Sequence, residues 1–122
     1  KGCKWQGLYF GGTAFKKQRV ILEDQYVNAA KYASKFMDVV TTSGVATGKE
    51  AKISKIQLFR SSIGDKPLAL ASGITVDNAK NYSEVDCFMV ATGINYDDNF
   101  YDIDPMKLSK LLNVCRQIGK GE

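Results

Sequence analysis

Two short apolar runs end in the same way. Leu68-Ala69-Leu70-Ala71 gives way to Ser72-Gly73-Ile74, and Phe88-Met89-Val90-Ala91 to Thr92-Gly93-Ile94. A hydroxyl beside a glycine at a strand's end suits the capture of an anion. Glycine lets a ligand approach the main chain closely, and amides exposed at a turn or helix start bind phosphate. A single Ser-Gly pair is explained as well by a tight turn. Two successive pairs, separated by one short segment, would set two groups of amides side by side. Ser72, Gly73, Ile74, Thr92, Gly93 and Ile94 are therefore the candidate phosphate-binding residues. Thr42-Ser43-Gly44 closes a third apolar run in the same style and supplies further pocket residues, and Gly11-Gly12-Thr13 closes a fourth.

Reaction chemistry is less well marked. Lys16 and Lys17 follow the first run. A lysine there would neutralise a phosphate or, with a lowered pKa, move a proton; a solvated basic loop explains the pair equally well. Lys49-Glu50 reads as an ion pair at a helix start. Asp97, Asp98, Asp102 and Asp104 lack regular ligand spacing, so no metal site is expected and Asp104 is better used as a helix cap. The chain has no histidine, which removes Ser-His-Asp triads, Cys-His nucleophiles and the common zinc sets. No cofactor is expected. Cys3, Cys87 and Cys115 are far apart and read as buried free thiols, which places the chain in a reducing, cytoplasmic setting. Trp5, Tyr9 and Phe10 read as packing residues.

The chain has 122 residues and a net charge of +4. That length is one domain, with about two thirds of its surface buried on folding. The basic residues are scattered, without the dense stripe and interleaved aromatics of a nucleic-acid surface, so a small anionic ligand is the expected partner. No run of about 18 apolar residues is present, so no membrane span is expected. The first residues, Lys1-Gly2-Cys3, include no initiator methionine, as in a processed product or a fragment.

The elements that would carry these residues follow from periodicity. Leu8-Tyr9-Phe10 reads as a strand, and Thr13 to Val20 as a loop. Glu23-Asp24 open a helix with Val27, Ala30, Ala33 and Met37 on its apolar stripe. Asp38 to Thr42 is β-branched and reads as a strand. Ile53, Ile56, Phe59 or Arg60, and Ile63 line a second helix, stopped by Gly64 and Pro67. Leu68 to Ala71 is the third strand. Thr75 is a plausible N-cap for a short helix over Val76 to Ser83, and Phe88 to Ala91 is the fourth strand. Asp104-Pro105 is a strong helix start, with Leu108, Leu111, Leu112, Cys115 and Ile118 on one face. The order is βαβαβαβα. Strands without alternation read as buried on both faces, and such connections force a parallel sheet. In parallel α/β folds the site lies at the carboxyl ends of the strands.

The run Ala71 to Asn78, followed by Phe88 to Ile94, resembles the last two βα units of phosphate-binding TIM barrels. The overall likeness is to the BtpA family of photosystem I biogenesis proteins and their bacterial relatives. Residues 42–48 and the Asp-Pro helix start are similar to that family too, and the likeness covers Gly7 to Ile118. It implies that Gly73 and Gly93 present amides to a phosphate, with Ser72, Thr92 and Ile94 beside them. It also implies that these four units are half of a (β/α)8 barrel, which needs about 250 residues. The other half would be a missing N-terminal segment or a second copy of the chain. A flavodoxin-like open sheet with reordered strands is the alternative fold. Two functions remain open: a TIM-barrel enzyme of sugar-phosphate or nucleotide chemistry, or a non-catalytic assembly or regulatory factor with a residual anion site.

Overall fold

The structure, a computed structural model, describes residues 3–120. Of the first three residues, Lys1 and Gly2 lie outside that range. Four strands form one parallel sheet: β1 (Phe10–Gly12), β2 (Val39–Ser43), β3 (Leu68–Ala71) and β4 (Cys87–Met89), in the order β1-β2-β3-β4. The α-helices are α1 (Tyr26–Ser34), α2 (Ile53–Ile63) and α3 (Pro105–Gly119). Each crossover steps to the next strand. The expected flavodoxin-like alternative is thereby corrected, because its strand order must reverse at a switch point and this sheet has no reversal.

The helices share one core. Ala30 and Ala33 from α1, Ile56, Phe59 and Ile63 from α2, and Leu111 from α3 meet Val40, Leu68 and Leu70 of the central strands. The intervening residues Val39, Thr41, Ala69 and Ala71 are also buried but do not belong to that core. Successive side chains alternate across a sheet, so these occupy the opposite face, which is left without a helical layer. Only β2 and β3 are buried on both faces; the edge strands expose Phe10 and Met89, which corrects the expectation of four doubly buried strands.

Register at the strand entries is pinned by two aspartates used alike. Asp38, just before β2, accepts from Tyr9 N through Oδ2 at 2.7 Å, while its own N–H donates to Tyr9 O at 3.0 Å. Asp86, just before β4, does the same with Leu68, at 2.9 Å in both directions. Arg60 of α2 closes that end of the sheet. Its guanidinium donates to Asp86 Oδ2 and to the carbonyls of Glu84, Gly64 and Lys66. A planar fork of donors suits four acceptors that arrive from different segments.

Several element limits differ from expectation for identifiable reasons. Leu8 and Tyr9 are exposed and precede β1. Trp5 is 70 % exposed, so Trp5 and Tyr9 do not serve as core packing. Glu23–Gln25 forms a 3-10 turn that leads into α1, and α1 stops at Ser34. Met37 instead packs over Gly11, where an added Cβ would lie 2.4 Å from its sulfur. The expected helix over 76–83 is a single 3-10 turn, Ala79–Tyr82. Thr75 N donates to Asn78 Oδ1 at 2.8 Å and Asn78 N to Thr75 Oγ1 at 3.3 Å. This closed box consumes residues 75–78 and leaves room for one turn before β4. Asp104 caps α3, accepting from Met106 N and Lys107 N at 2.9 and 3.4 Å. Cys3 is exposed and Cys87 and Cys115 are half-buried free thiols, so none is the fully buried thiol expected. Among the described residues, no helix is long and apolar enough to cross a membrane.

Candidate anion-binding site

The parallel register sets the ends of β3 and β4 side by side, with Ala71 opposite Met89. Between them lies a cavity of about 510 Å3, lined by Ser72, Gly73 and Ile74 from one end and Ala91, Thr92 and Gly93 from the other, with Lys16 beside them. The N–H groups of Gly73, Ile74, Thr92 and Gly93 make no hydrogen bond to another described residue. Thr92–Ile94 forms a 3-10 turn, whose first N–H groups are left without an internal acceptor, as at any helix start.

Both glycines also answer to the protein itself. Gly73 has φ of +71°, and a Cβ there would come within 2.3 Å of Glu50 N. A Cβ on Gly93 would lie 1.9 Å from Ile74 O. The chain crosses itself at each position, so glycine is required whether or not an anion binds. Ser72 is likewise committed: its Oγ donates to Lys49 O at 2.9 Å and accepts from Gly44 N at 3.1 Å. It positions the 44–50 loop and leaves Thr47 and Thr92 as the hydroxyls on the cavity with no internal partner among the described residues.

Other expected site residues lie elsewhere. Ile94 is buried in the core and Thr42 is fully buried, its Oγ1 donating to Ala14 O at 3.2 Å. Ser43 and Gly44 line a second cavity of about 350 Å3, together with Lys17. Lys16 lines both cavities. Its backbone is anchored by donation to Ser43 Oγ at 2.7 Å, and its Nζ lies 5.8 Å from the centroid of the Phe15 ring. Glu50 makes no ion pair with Lys49; its Oε2 accepts from Asn78 Nδ2 at 3.0 Å. Lys107 holds Asp97 at 2.7 Å and keeps that carboxyl below its usual range, through the hydrogen bond first and the charge second.

Two positioning residues escaped the sequence reading. Asn78 spends its amide on Gly73 O at 2.7 Å and on Glu50, fixing the turn that presents the Gly73 and Ile74 amides. Lys55 is 8 % exposed, and its Nζ donates to Ala14 O at 2.6 Å and Ser43 O at 2.7 Å. It ties the loop after β1 to the end of β2. A signal for it exists in the sequence: Lys55 stands four residues before Phe59, on the apolar stripe of α2. No family model matches the chain, and neither a curated protein nor a solved structure matches it.

Proposed function

We propose that the chain binds a phosphorylated small molecule, a sugar phosphate or nucleotide, at the carboxyl ends of β3 and β4. The observation that carries this reading is the cavity between those ends, lined by four residues whose main-chain N–H groups have no partner among the described residues. Such amides offer fixed partial positive charge to oxyanions, and Lys16 adds a full one. The sequential strand order and the single helical layer support a further step. The four units would be one half of a (β/α)8 barrel, completed by another segment or another copy.

A binding role without chemistry, of the kind the BtpA likeness implies, has its own support. Lys16 is the one titratable side chain among the residues that line this cavity. General acid–base catalysis needs a second group in reach of the substrate, which these four units do not supply. Within a completed barrel the same end would be the phosphate handle of an enzyme.

The test is calorimetric titration with inorganic phosphate and ribose 5-phosphate. Binding should weaken on the order of tenfold in Lys16→Gln, the loss of one charge-assisted contact, and to a smaller degree in Thr92→Val. Absence of binding by the unaltered chain, or affinity unchanged in both variants, overturns the reading. Substitutions at Gly73 or Gly93 are unsuitable, because they break the fold first.

A further inference from the structure

Lys55 is a buried amine without a carboxylate. Ion pairs among the described residues join Lys52 to Glu23, Arg60 to Asp86 and Lys107 to Asp97, and Lys55 takes part in none. Its surroundings are two carbonyls and two aromatic rings, with Nζ 5.3 Å from the Tyr26 centroid and 5.9 Å from that of Phe59. A neutral amine has two hydrogens, and the carbonyls of Ala14 and Ser43 take both. The nitrogen lone pair then has no hydrogen-bonding duty inside the protein. Burial pulls the Lys55 pKa down from 10.5 to about 8, so roughly a tenth of the molecules carry the free amine at pH 7.

The cavity of about 350 Å3 that Lys55 lines is cationic, with Lys16, Lys17, Arg19 and Lys52 among its residues. Its one carboxylate, Glu50, is held by Asn78, and Lys52 is paired with Glu23. Lys17 adopts the left-handed region, with φ of +65°, a conformation that a non-glycine residue rarely takes without a surrounding structure to hold it. A buried lysine of this kind in a cleft is the usual setting of an amine nucleophile.

We propose that this second cavity takes a small aldehyde or ketone bearing a phosphate or carboxylate, and that Lys55 Nζ forms an imine with its carbonyl carbon. The inference does not depend on phosphate binding between β3 and β4: its nucleophile lines a different cavity, and of the charged residues only Lys16 is shared. The lone pair adds to the carbonyl carbon, and the C=O π pair moves to oxygen. That oxygen takes a proton from nitrogen, giving the carbinolamine. Loss of the hydroxyl and the remaining nitrogen-bound proton as one water leaves the imine, with no oxidant or reductant consumed. Ala14 O keeps a donor throughout, because Thr42 Oγ1 also donates to it. Lys16, Lys17 and Arg19 supply the countercharge for the ligand's anionic group.

The experiment is brief treatment of the full chain with pyridoxal 5′-phosphate, borohydride reduction and peptide mass mapping, repeated from pH 7 to 9. The groups facing Lys55 that bear on its protonation are Tyr26 of α1, Lys16 and Lys17 of the loop after β1, and Glu50 and Lys52 ahead of α2. Label should enter Lys55 at least tenfold faster than the exposed Lys52, and its rate should climb as pH passes 8. Lys55→Arg should abolish the fast phase and leave the slow labelling of other lysines unchanged. The mapping on the unaltered chain decides the matter even if that variant fails to fold. Label spread over exposed lysines, with none enriched at Lys55, overturns the proposal.

Discussion

At Lys55 a single side chain sets a pH dependence for the whole fold. The folded chain gives up this proton near pH 8, whereas the unfolded chain holds it to the ordinary 10.5. Between those values the unfolded state binds more protons, so folding becomes more favourable as pH rises. Below pH 8 the cost of burying the charge is present in full. Urea midpoints measured from pH 7.5 to 9.5 should therefore rise, and Lys55→Met should flatten that rise. The window is capped by Tyr82. Burial holds its phenol above 10, with Glu50's charge and hydrogen bond adding to the effect, so stability falls again as the pH passes that range. Gly93 makes a different prediction at the same scale. With Ile74 O only 1.9 Å from an added Cβ, Gly93→Ala should cost about 2–4 kcal/mol, read from denaturant unfolding. The glycine motifs were plainly legible in the sequence, whereas Lys55 left only its place on the apolar stripe of α2, and the difference has a physical cause. Glycine and a small hydroxyl mark a strand exit by local backbone need, but a lysine's burial depends on a loop that arrives from 41 residues away.

Among the elements, the Asp86 pin and Arg60 decide how β3 and β4 align, and hence how the two strand ends meet. Asp86→Ala removes the acceptor for Leu68 N and one of four for Arg60. Arg60 and Leu68 are partly or wholly buried, so the loss should exceed that of a surface ion pair and reach about 2–3 kcal/mol. The smaller expected effect is at α3, where Asp104→Ala removes an N-cap worth about 1 kcal/mol. Thermal unfolding of the two variants should rank them in that order. The strand positions were readable because β-branched and apolar runs sit between turn residues, as at Val39–Ser43 and Leu68–Ala71. The segment after Thr75 was not, because its length suits a helix and only the reciprocal bonds between Thr75 and Asn78 exclude one. Asp38 and Asp86 were visible as strand-entry residues, but their shared hydrogen-bonding role needs the neighbouring strand to be known.

At the scale of the molecule, the sheet has two edges and one face that no strand or helix among the described residues covers. Unpaired parallel edges are templates for further pairing. Thr41 Oγ1, on the face away from the helices, is buried with no hydrogen-bond partner among the described residues, and Phe10 and Met89 on the edge strands are 41 % and 49 % exposed. Where a second copy completes the half-barrel, the isolated chain of 13.4 kDa should sediment at about twice its own mass. A well-folded monomer at micromolar concentration would count against the two-copy barrel while leaving both cavities untouched.

The aspartate pins have a consequence for how such a chain grows. Each fastens a strand to the one before it, using only a residue at its own start. A newly appended βα unit with the same entry residue would need no change in the older units to find its place. Since β2 and β4 carry such a residue, the sheet can lengthen beyond β4 without rewriting what precedes it, like a fence in which a new post brings its own clasp.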